Sequence, residues 1–249
     1  MAACAAGQAA QPDRIVVVGD VHGDFGQFTA VLKSAGVIDG RNRWSAGTAH
    51  LVQIGDIPDR GPDTKKIIEY LMELEKQARR AKGMVHLLIG NHEAMNLYGD
   101  LRYVIPKEFE AFASRDGEYR ALAWEMYEAE AKAKGVKLSG EDRKKWDAER
   151  PRGFFEHRVA FAPGGRFYKW IVAHDALLKL GDTLFVHAGI SPKYAGEDME
   201  ALNARVREEL TDFSKLPDGA VMDIEVRLWY RGMPAGGEAE LAQHVDAVL

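Results

Sequence analysis

The chain has 249 residues, 46% of them hydrophobic, and a formal net charge of −5. That is enough apolar material for one large domain, alone or with an insertion, while the acidic balance argues against a general grip on nucleic acid, which needs a basic face. The single cysteine, Cys4, excludes an intrachain disulfide and thiolate zinc sites, and no apolar run reaches the about 18 residues of a membrane-spanning helix.

Residues 1–13 read as a disordered Ala-rich leader, and residues 14–249 as the domain. A cytoplasmic location is expected of the chain as given. The start Met1-Ala2-Ala3-Cys4 also resembles the tail of a bacterial lipoprotein signal, and the alternative is therefore the cell envelope or periplasm. Ile15-Val16-Val17-Val18 reads as a buried parallel strand closed by Gly19-Asp20-Val21-His22-Gly23. Phe25, Phe28, Val31 and Leu32 predict a helix over 25–35, stopped by Gly36. A second strand, Leu51-Val52-Gln53-Ile54, runs into Gly55-Asp56-Ile57-Pro58-Asp59-Arg60-Gly61. Pro62 then opens a helix with the stripe Ile67, Ile68, Leu71, Met72 and Leu74. A third, Val85-His86-Leu87-Leu88-Ile89, delivers Gly90-Asn91-His92-Glu93 into an expected loop.

From Asp20 to Asp56 is 36 residues, and from Asp56 to Asn91 is 35. One strand, one helix and their loops fit that length. Three parallel strands are therefore expected, their carboxyl ends bringing Asp, His and Asn to the edge where open α/β sheets bind ligands. Residues 99–152 are crowded with charge and read as two or three surface helices, either a helical insertion or cap or a merely solvated face. A docking helix over 167–174, a hairpin of 176–180 and 184–186 around Gly181-Asp182, and an amphipathic helix marked by Met199, Leu202, Val206 and Leu210 follow. His187 follows the second hairpin strand, and residues 243–249 read as a helix.

A pair of divalent ions about 3.5–4 Å apart can clamp both oxygens of an in-line phosphoryl displacement. Such a site needs a carboxylate that bridges the ions, with hard or borderline donors around each. Asp20 and His22 lie two apart on one loop, Asp56 sits where a bridge belongs, and Asn91 and His187 offer a carbonyl oxygen and an imidazole. Donors without sulfur suit manganese, iron or zinc better than calcium. Arg60 offers a fork for phosphate. His92 is placed to protonate a leaving oxygen, and Asp59 to orient it. The glycines Gly19, Gly55 and Gly90 suggest sharp turns at strand ends, and Gly23 and Gly61 close approach to an ion or phosphate.

The three strings match the GD-x-HG, GD-x-x-DRG and GNHE signatures, and the chain resembles the calcineurin-like metallophosphoesterases of the phosphoprotein phosphatase branch. Gly55 to Asp63, Asn91 to Asn96, Phe155-Glu156-His157-Arg158 and Leu228-Trp229-Tyr230-Arg231-Gly232 are similar to the Shewanella-like protein phosphatases. The resemblance implies a β-sandwich of two mixed sheets flanked by helices, with a helical insertion and with C-terminal strands missing from this chain. It implies that Asp20, His22 and Asp56 hold one metal and Asp56, Asn91 and His187 a second. It makes His92 and Asp59 an acid dyad, with Arg60 binding phosphate and Arg231 either a second clamp or a structural arginine. A further metal-binding histidine of the family pattern has no match up to Leu249, which implies weaker affinity for the second ion. His157 stays undecided between loop support and substrate contact, and His174 reads as a helix-end residue.

The expected activity is dimetal-dependent hydrolysis of phosphate monoesters in phosphorylated proteins or peptides, by in-line attack of a metal-bound water or hydroxide. The alternatives are a small-molecule phosphoesterase, such as a dinucleoside polyphosphate hydrolase, and a low-activity metal-binding chain.

Overall fold

The computed structural model describes residues 12–114, 116–191, 193–194, 196–223 and 228–230. Residues 1–11 of the expected leader over 1–13, Arg231 and the expected helix over 243–249 lie outside the described residues.

The three hydrophobic runs form a parallel sheet of β1 (Ile15–Val18), β2 (His50–Gln53) and β3 (Met84–Leu87), in the order β1-β2-β3. Val16, Leu51 and Val85 stand in one register row, and Val17, Val52 and His86 in the next. Because side chains alternate across a strand, these rows face opposite sides. The first packs beneath α1 (Phe25–Ser34) and α2 (Thr64–Arg80), where Phe28, Leu32, Ile67, Ile68, Leu71 and Leu74 join the main core. Each such side chain contributes about 1.5–3 kcal/mol by leaving water. α2 starts two residues after Pro62, behind Asp63.

The other face is thinly covered. Val52, Leu88 and Phe185 form a small second core with Ile15, Ile54, Leu178 and Leu180 at its margin. The partner layer is the antiparallel hairpin of β4 (Leu177–Leu180) and β5 (Thr183–Val186), tied to the first sheet by a parallel bridge from Leu88 to Asp175. Among the described residues, the expected sandwich is thus represented by a three-stranded parallel sheet and a two-stranded antiparallel one. β1 is parallel as expected but not buried, for it lies at the sheet edge and leaves Val17 47% exposed.

The string Asn91-His92-Glu93 is not a loop. It opens α3 (Asn91–Tyr98), whose residues Asn91 to Leu97 are all buried. Asn and His are mediocre helix formers, and what starts the helix is Glu93, whose Oε2 reaches back to the Gly90 N–H at 2.8 Å. Beyond it come α4 (Pro106–Phe112), α5 (Asp116–Ala133), α6 (Gly140–Ala148) and α7 (Phe154–Phe161). α4 is no solvated face: Glu108, Phe109 and Phe112 are buried, and Phe112 packs against Phe161 and Phe167. α5 and α6 are held by Trp146, which meets Trp124 and Phe155 at 5.2 and 5.4 Å between ring centroids. α8 (Arg166–Ile171) ends sooner than expected, and α9 (Met199–Thr211) buries the anticipated Leu202, Val206 and Leu210.

Candidate metal centre and acid dyad

Four of the six non-glycine residues with left-handed backbone among the described residues belong to two loops: His22 (φ 46°), Asp56 (φ 60°), Asp59 (φ 72°) and Arg60 (φ 64°). Such conformations cost of order 1–3 kcal/mol each and persist only where the surroundings impose them. Part of the imposition is glycine against glycine. A Cβ on Gly61 would fall 2.3 Å from the His22 carbonyl oxygen, and one on Gly23 2.5 Å from the Gly61 backbone. Both glycines are required by the close approach of the two loops to each other. Gly55, at φ +101°, lies likewise against the Gly90 backbone, whereas Gly19 has open space and no such requirement.

These contacts bring Asp20, His22, Asp56, Asn91, His92 and His187 to one sheet edge. His22 Nε2 lies 3.7 Å from Asp20 Oδ2 and 3.8 Å from Asp56 Oδ2, and His187 Nε2 lies 3.4 Å from Asp56 Oδ1. Two donor clusters result, His22–Asp56–His92 and Asp20–Asp56–His187, and Asp56 belongs to both. Asp56 is 3% exposed, and although burial favours its neutral form, His187 and His92 hold its carboxyl below the usual range. Asp20 reaches the centre from the solvent side, its side chain 54% exposed.

The histidines are oriented for donation. His22 Nδ1 meets the Pro58 carbonyl at 3.0 Å, and His187 Nδ1 meets the Ile54 carbonyl at 2.8 Å. Each bond makes Nδ1 the donor and turns the Nε2 lone pair inward, the arrangement metal-ligating imidazoles use. His22 Nε2 is buried with no hydrogen-bond partner in the structure. His187 Nε2 faces Asn91 Oδ1 at 2.9 Å, an imidazole nitrogen and an amide oxygen close enough for both to donate to one cation. Burial opposes a charge on that imidazole, yet the hydrogen bond and charge of Asp56, with Glu93 behind, push its pKa up to about 9. The donors thus fit divalent cations by chemistry and by orientation.

Glu93 supports this centre from beneath. It is 1% exposed, and its carboxylate accepts the N–H groups of Asp56, Ile57 and Gly90, each at 2.8 Å. Burial, then the Asp56 charge, pushes its pKa up to about 7. The Asp56 carboxylate accepts in turn from the His92 N–H at 3.0 Å, at the positive end of α3.

His92 and Asp59, expected to act together, meet beside these donors. His92 Nδ1 donates to Asp59 Oδ2 at 2.5 Å, and both side chains are buried. Asn96, one helical turn after His92, donates Nδ2 to Asp59 Oδ1 at 3.0 Å, so both carboxylate oxygens are occupied. Arg60 is exposed at the mouth, its guanidinium 3.3 Å from His92 Nε2 and 5.5 Å from the Tyr103 ring centre. Asp20, Asp56, Asn91, His92 and His187 line a cavity of about 360 Å³ walled by Tyr103, Trp229 and Tyr230.

His157 is not at the site. It is fully buried among Phe109, Phe112 and Phe161, at 4.6–5.1 Å between ring centroids. His174, expected at a helix end, lies three residues past the end of α8, bonded to the Trp170 carbonyl and to Glu75. Sequence reasoning gave no role to Glu93, Asn96 or Tyr103. The i, i+4 spacing from His92 was a usable signal for Asn96, whereas Tyr103 sits in a segment without one.

The family model described as calcineurin-like phosphoesterase matches residues 13–237. Shewanella-like protein phosphatase 2 of Arabidopsis thaliana is 31% identical over 210 residues, covering 82% of this chain and 53% of that protein. Shewanella-like protein phosphatase 1 of Plasmodium berghei is 25% identical, over 81% of this chain and 46% of its own length. Among solved structures, a cold-active protein-tyrosine phosphatase of a psychrophilic Shewanella species matches with a TM-score of 0.67 at 27% identity, over 93% of this chain and 62% of that one. The chain thus spans roughly half of these curated relatives' length. A shorter match, 29% identical over 113 residues, is to an asymmetrical bis(5'-nucleosyl)-tetraphosphatase of Oceanobacillus iheyensis. No helix among the described residues is long and apolar enough to cross a membrane.

Proposed function

This chain belongs to the calcineurin-like phosphoesterase family and has its fold, and we propose that it is a dimetal phosphoprotein phosphatase hydrolysing phosphate monoesters. The observation that carries this reading is Asp56, common to the donor clusters His22–Asp56–His92 and Asp20–Asp56–His187, with His92 bonded in turn to buried Asp59; the ligand sets proposed here regroup those donors, adding Asn91 and keeping His92 for proton transfer. Asp20, His22 and Asp56 would hold one divalent ion, and Asp56, Asn91 and His187 a second, with manganese, iron or zinc suited to these donors. When bound, the ions supply Lewis acidity and make water acidic enough to act as nucleophile near neutral pH.

The chain's own groups do the rest. Arg60 grips phosphoryl oxygens with its planar fork. His92 gives the proton on Nε2 to the departing oxygen, while Asp59 accepts from Nδ1 and keeps the ring aimed. Burial opposes the imidazolium, but the hydrogen bond to Asp59 and the charge of Asp56 outweigh it and raise the His92 pKa above its ordinary value. Arg231 is a second phosphate clamp in this reading.

The aromatic wall of Tyr103, Trp229 and Tyr230 supports an aryl ester, and the cold-active protein-tyrosine phosphatase likeness supports phosphotyrosine in a protein. Turnover of phosphotyrosine, phosphoserine and phosphothreonine peptides, measured against a dinucleoside tetraphosphate, tests it. Preference for the tetraphosphate would make this a small-molecule phosphoesterase, the reading favoured by the Oceanobacillus relative. No turnover of an aryl phosphate with added manganese would leave a metal-binding chain without catalysis. Asp59→Asn should lower kcat by about 100-fold or more with metal content unchanged, and an undiminished rate would refute the dyad.

A further inference from the structure

The strained turn at Asp59 and Arg60 is not held by the core sheet. Its two outward N–H groups go to the segment after α3: Arg60 N–H donates to the Tyr103 carbonyl at 3.0 Å, and Asp59 N–H to Glu108 Oε1 at 3.2 Å. Glu108 sits in the first turn of α4, where an acidic side chain ordinarily lies in solvent and favours the helix dipole. Here it is 0% exposed. Burying a carboxyl is costly unless its hydrogen bonds return the cost, and a first-turn residue has solvent within reach. Its burial points to a task at the turn it touches.

We infer that Glu108 is a positioning residue for proton donation: by holding the Asp59 backbone in its left-handed conformation, it fixes the carboxylate that aims His92. The inference rests on the reading of His92 and Asp59 as the acid dyad. The chain of contacts is continuous, from Glu108 Oε1 to Asp59 N–H, and from Asp59 Oδ2 to His92 Nδ1. Asn96 fixes Asp59 Oδ1, and the Gly61 N–H meets the Asp59 carbonyl at 2.7 Å within the turn itself; the Glu108 bond is what ties the remaining backbone group, the Asp59 N–H, to α4. With Glu108 in place, residues 103–108 determine how well the acid is aimed, and the segment between α3 and α4 becomes part of the catalytic apparatus.

The test uses leaving groups of different basicity. Para-nitrophenolate departs readily without a proton, whereas phenolate needs one, so a misaimed acid penalises phenyl phosphate far more. Glu108→Ala, and Glu108→Met, which restores the volume without an acceptor, should lower kcat on phenyl phosphate roughly 10-fold or more and on para-nitrophenyl phosphate less than about 3-fold. Metal content should be unchanged. Glu108→Gln keeps a carbonyl acceptor and should restore most of the loss. Equal losses on both substrates, no loss on either, or a Gln variant as impaired as Met would overturn the inference. Asp59→Asn runs alongside: if it too shows no dependence on the leaving group, the dyad reading has failed, and if it alone shows dependence, only the role of Glu108 has.

Discussion

His157 makes the native state sensitive to acid, at a place remote from any chemistry. Its ring is fully buried among three phenylalanines, and neither nitrogen has a hydrogen-bond partner in the structure. Burial, assisted by the nearby Arg158 charge, lowers its pKa from 6.5 to about 3. The unfolded chain therefore takes up a proton near pH 6.5 that the folded chain refuses until near pH 3. Between those values stability falls as pH falls, by up to about 1.4 kcal/mol per unit. Integrated from pH 8 to pH 5, the loss from this one residue is about 2 kcal/mol, a sizeable share of the roughly 5–15 kcal/mol that holds a domain together. The perturbation is His157→Leu, which removes the titrating group and keeps the site apolar. Packing differences shift the variant's stability by a constant amount, so the measurement is the change with pH, from urea unfolding at pH 8 and pH 5. Groups other than His157 titrate alike in both proteins and cancel. The variant should lose about 2 kcal/mol less than the parent over that interval. Equal losses in both would mean that the native state accepts the imidazolium without penalty, and the burial argument would be refuted.

The remaining expectations concern the loops and core. Glu93→Ala leaves three buried N–H groups without their acceptor, so metal uptake should fall and unfolding free energy drop by about 3 kcal/mol or more, read by metal analysis and denaturant titration. Gly61→Ala drives a methyl into the His22 carbonyl, and loss of metal binding is expected even where helix content by circular dichroism persists. Leu71→Ala, beneath α2, should cost about 2–5 kcal/mol of stability without altering the para-nitrophenyl phosphate rate per folded molecule. Chelation of the divalent ions should lower the melting temperature of the parent, since ions binding only the folded state stabilise it, and should do so less for Asp56→Asn. Equal shifts would contradict the shared role of Asp56.

The strands were legible because short hydrophobic runs closed by glycine-bearing loops admit few other readings, and the even spacing of Asp20, Asp56 and Asn91 implied parallel pairing. The donors were legible for the same reason, each being tied to a strand end. What escaped depended on partners distant in sequence. α3 was read as a loop because Gly90 and Asn91 carry loop signals, and the acceptor that starts the helix is a side chain three residues on. The exposure of Val17 was missed because a run of four valine-like residues looks the same at an edge as in the middle of a sheet. Glu108 was invisible among the charges of its segment, since nothing local distinguishes a carboxylate that will meet a backbone 49 residues away. The mutual contact of Gly23 and Gly61 was hidden for a similar reason, since the two stand 38 residues apart in the chain.

The stretch from Ile54 to Gly61 supplies Asp56, common to both donor clusters, the carbonyls that meet His22 and His187, the Asp59 that meets His92, the Arg60 at the cavity mouth and the glycine that lets two loops cross. Eight consecutive residues thus carry duties normally scattered over a protein. A deletion or insertion of one residue there would rotate all of them out of place together, so the centre is gained or lost as a block. Divergence among such proteins has room in the walls and the surface helices, but hardly any along this short span.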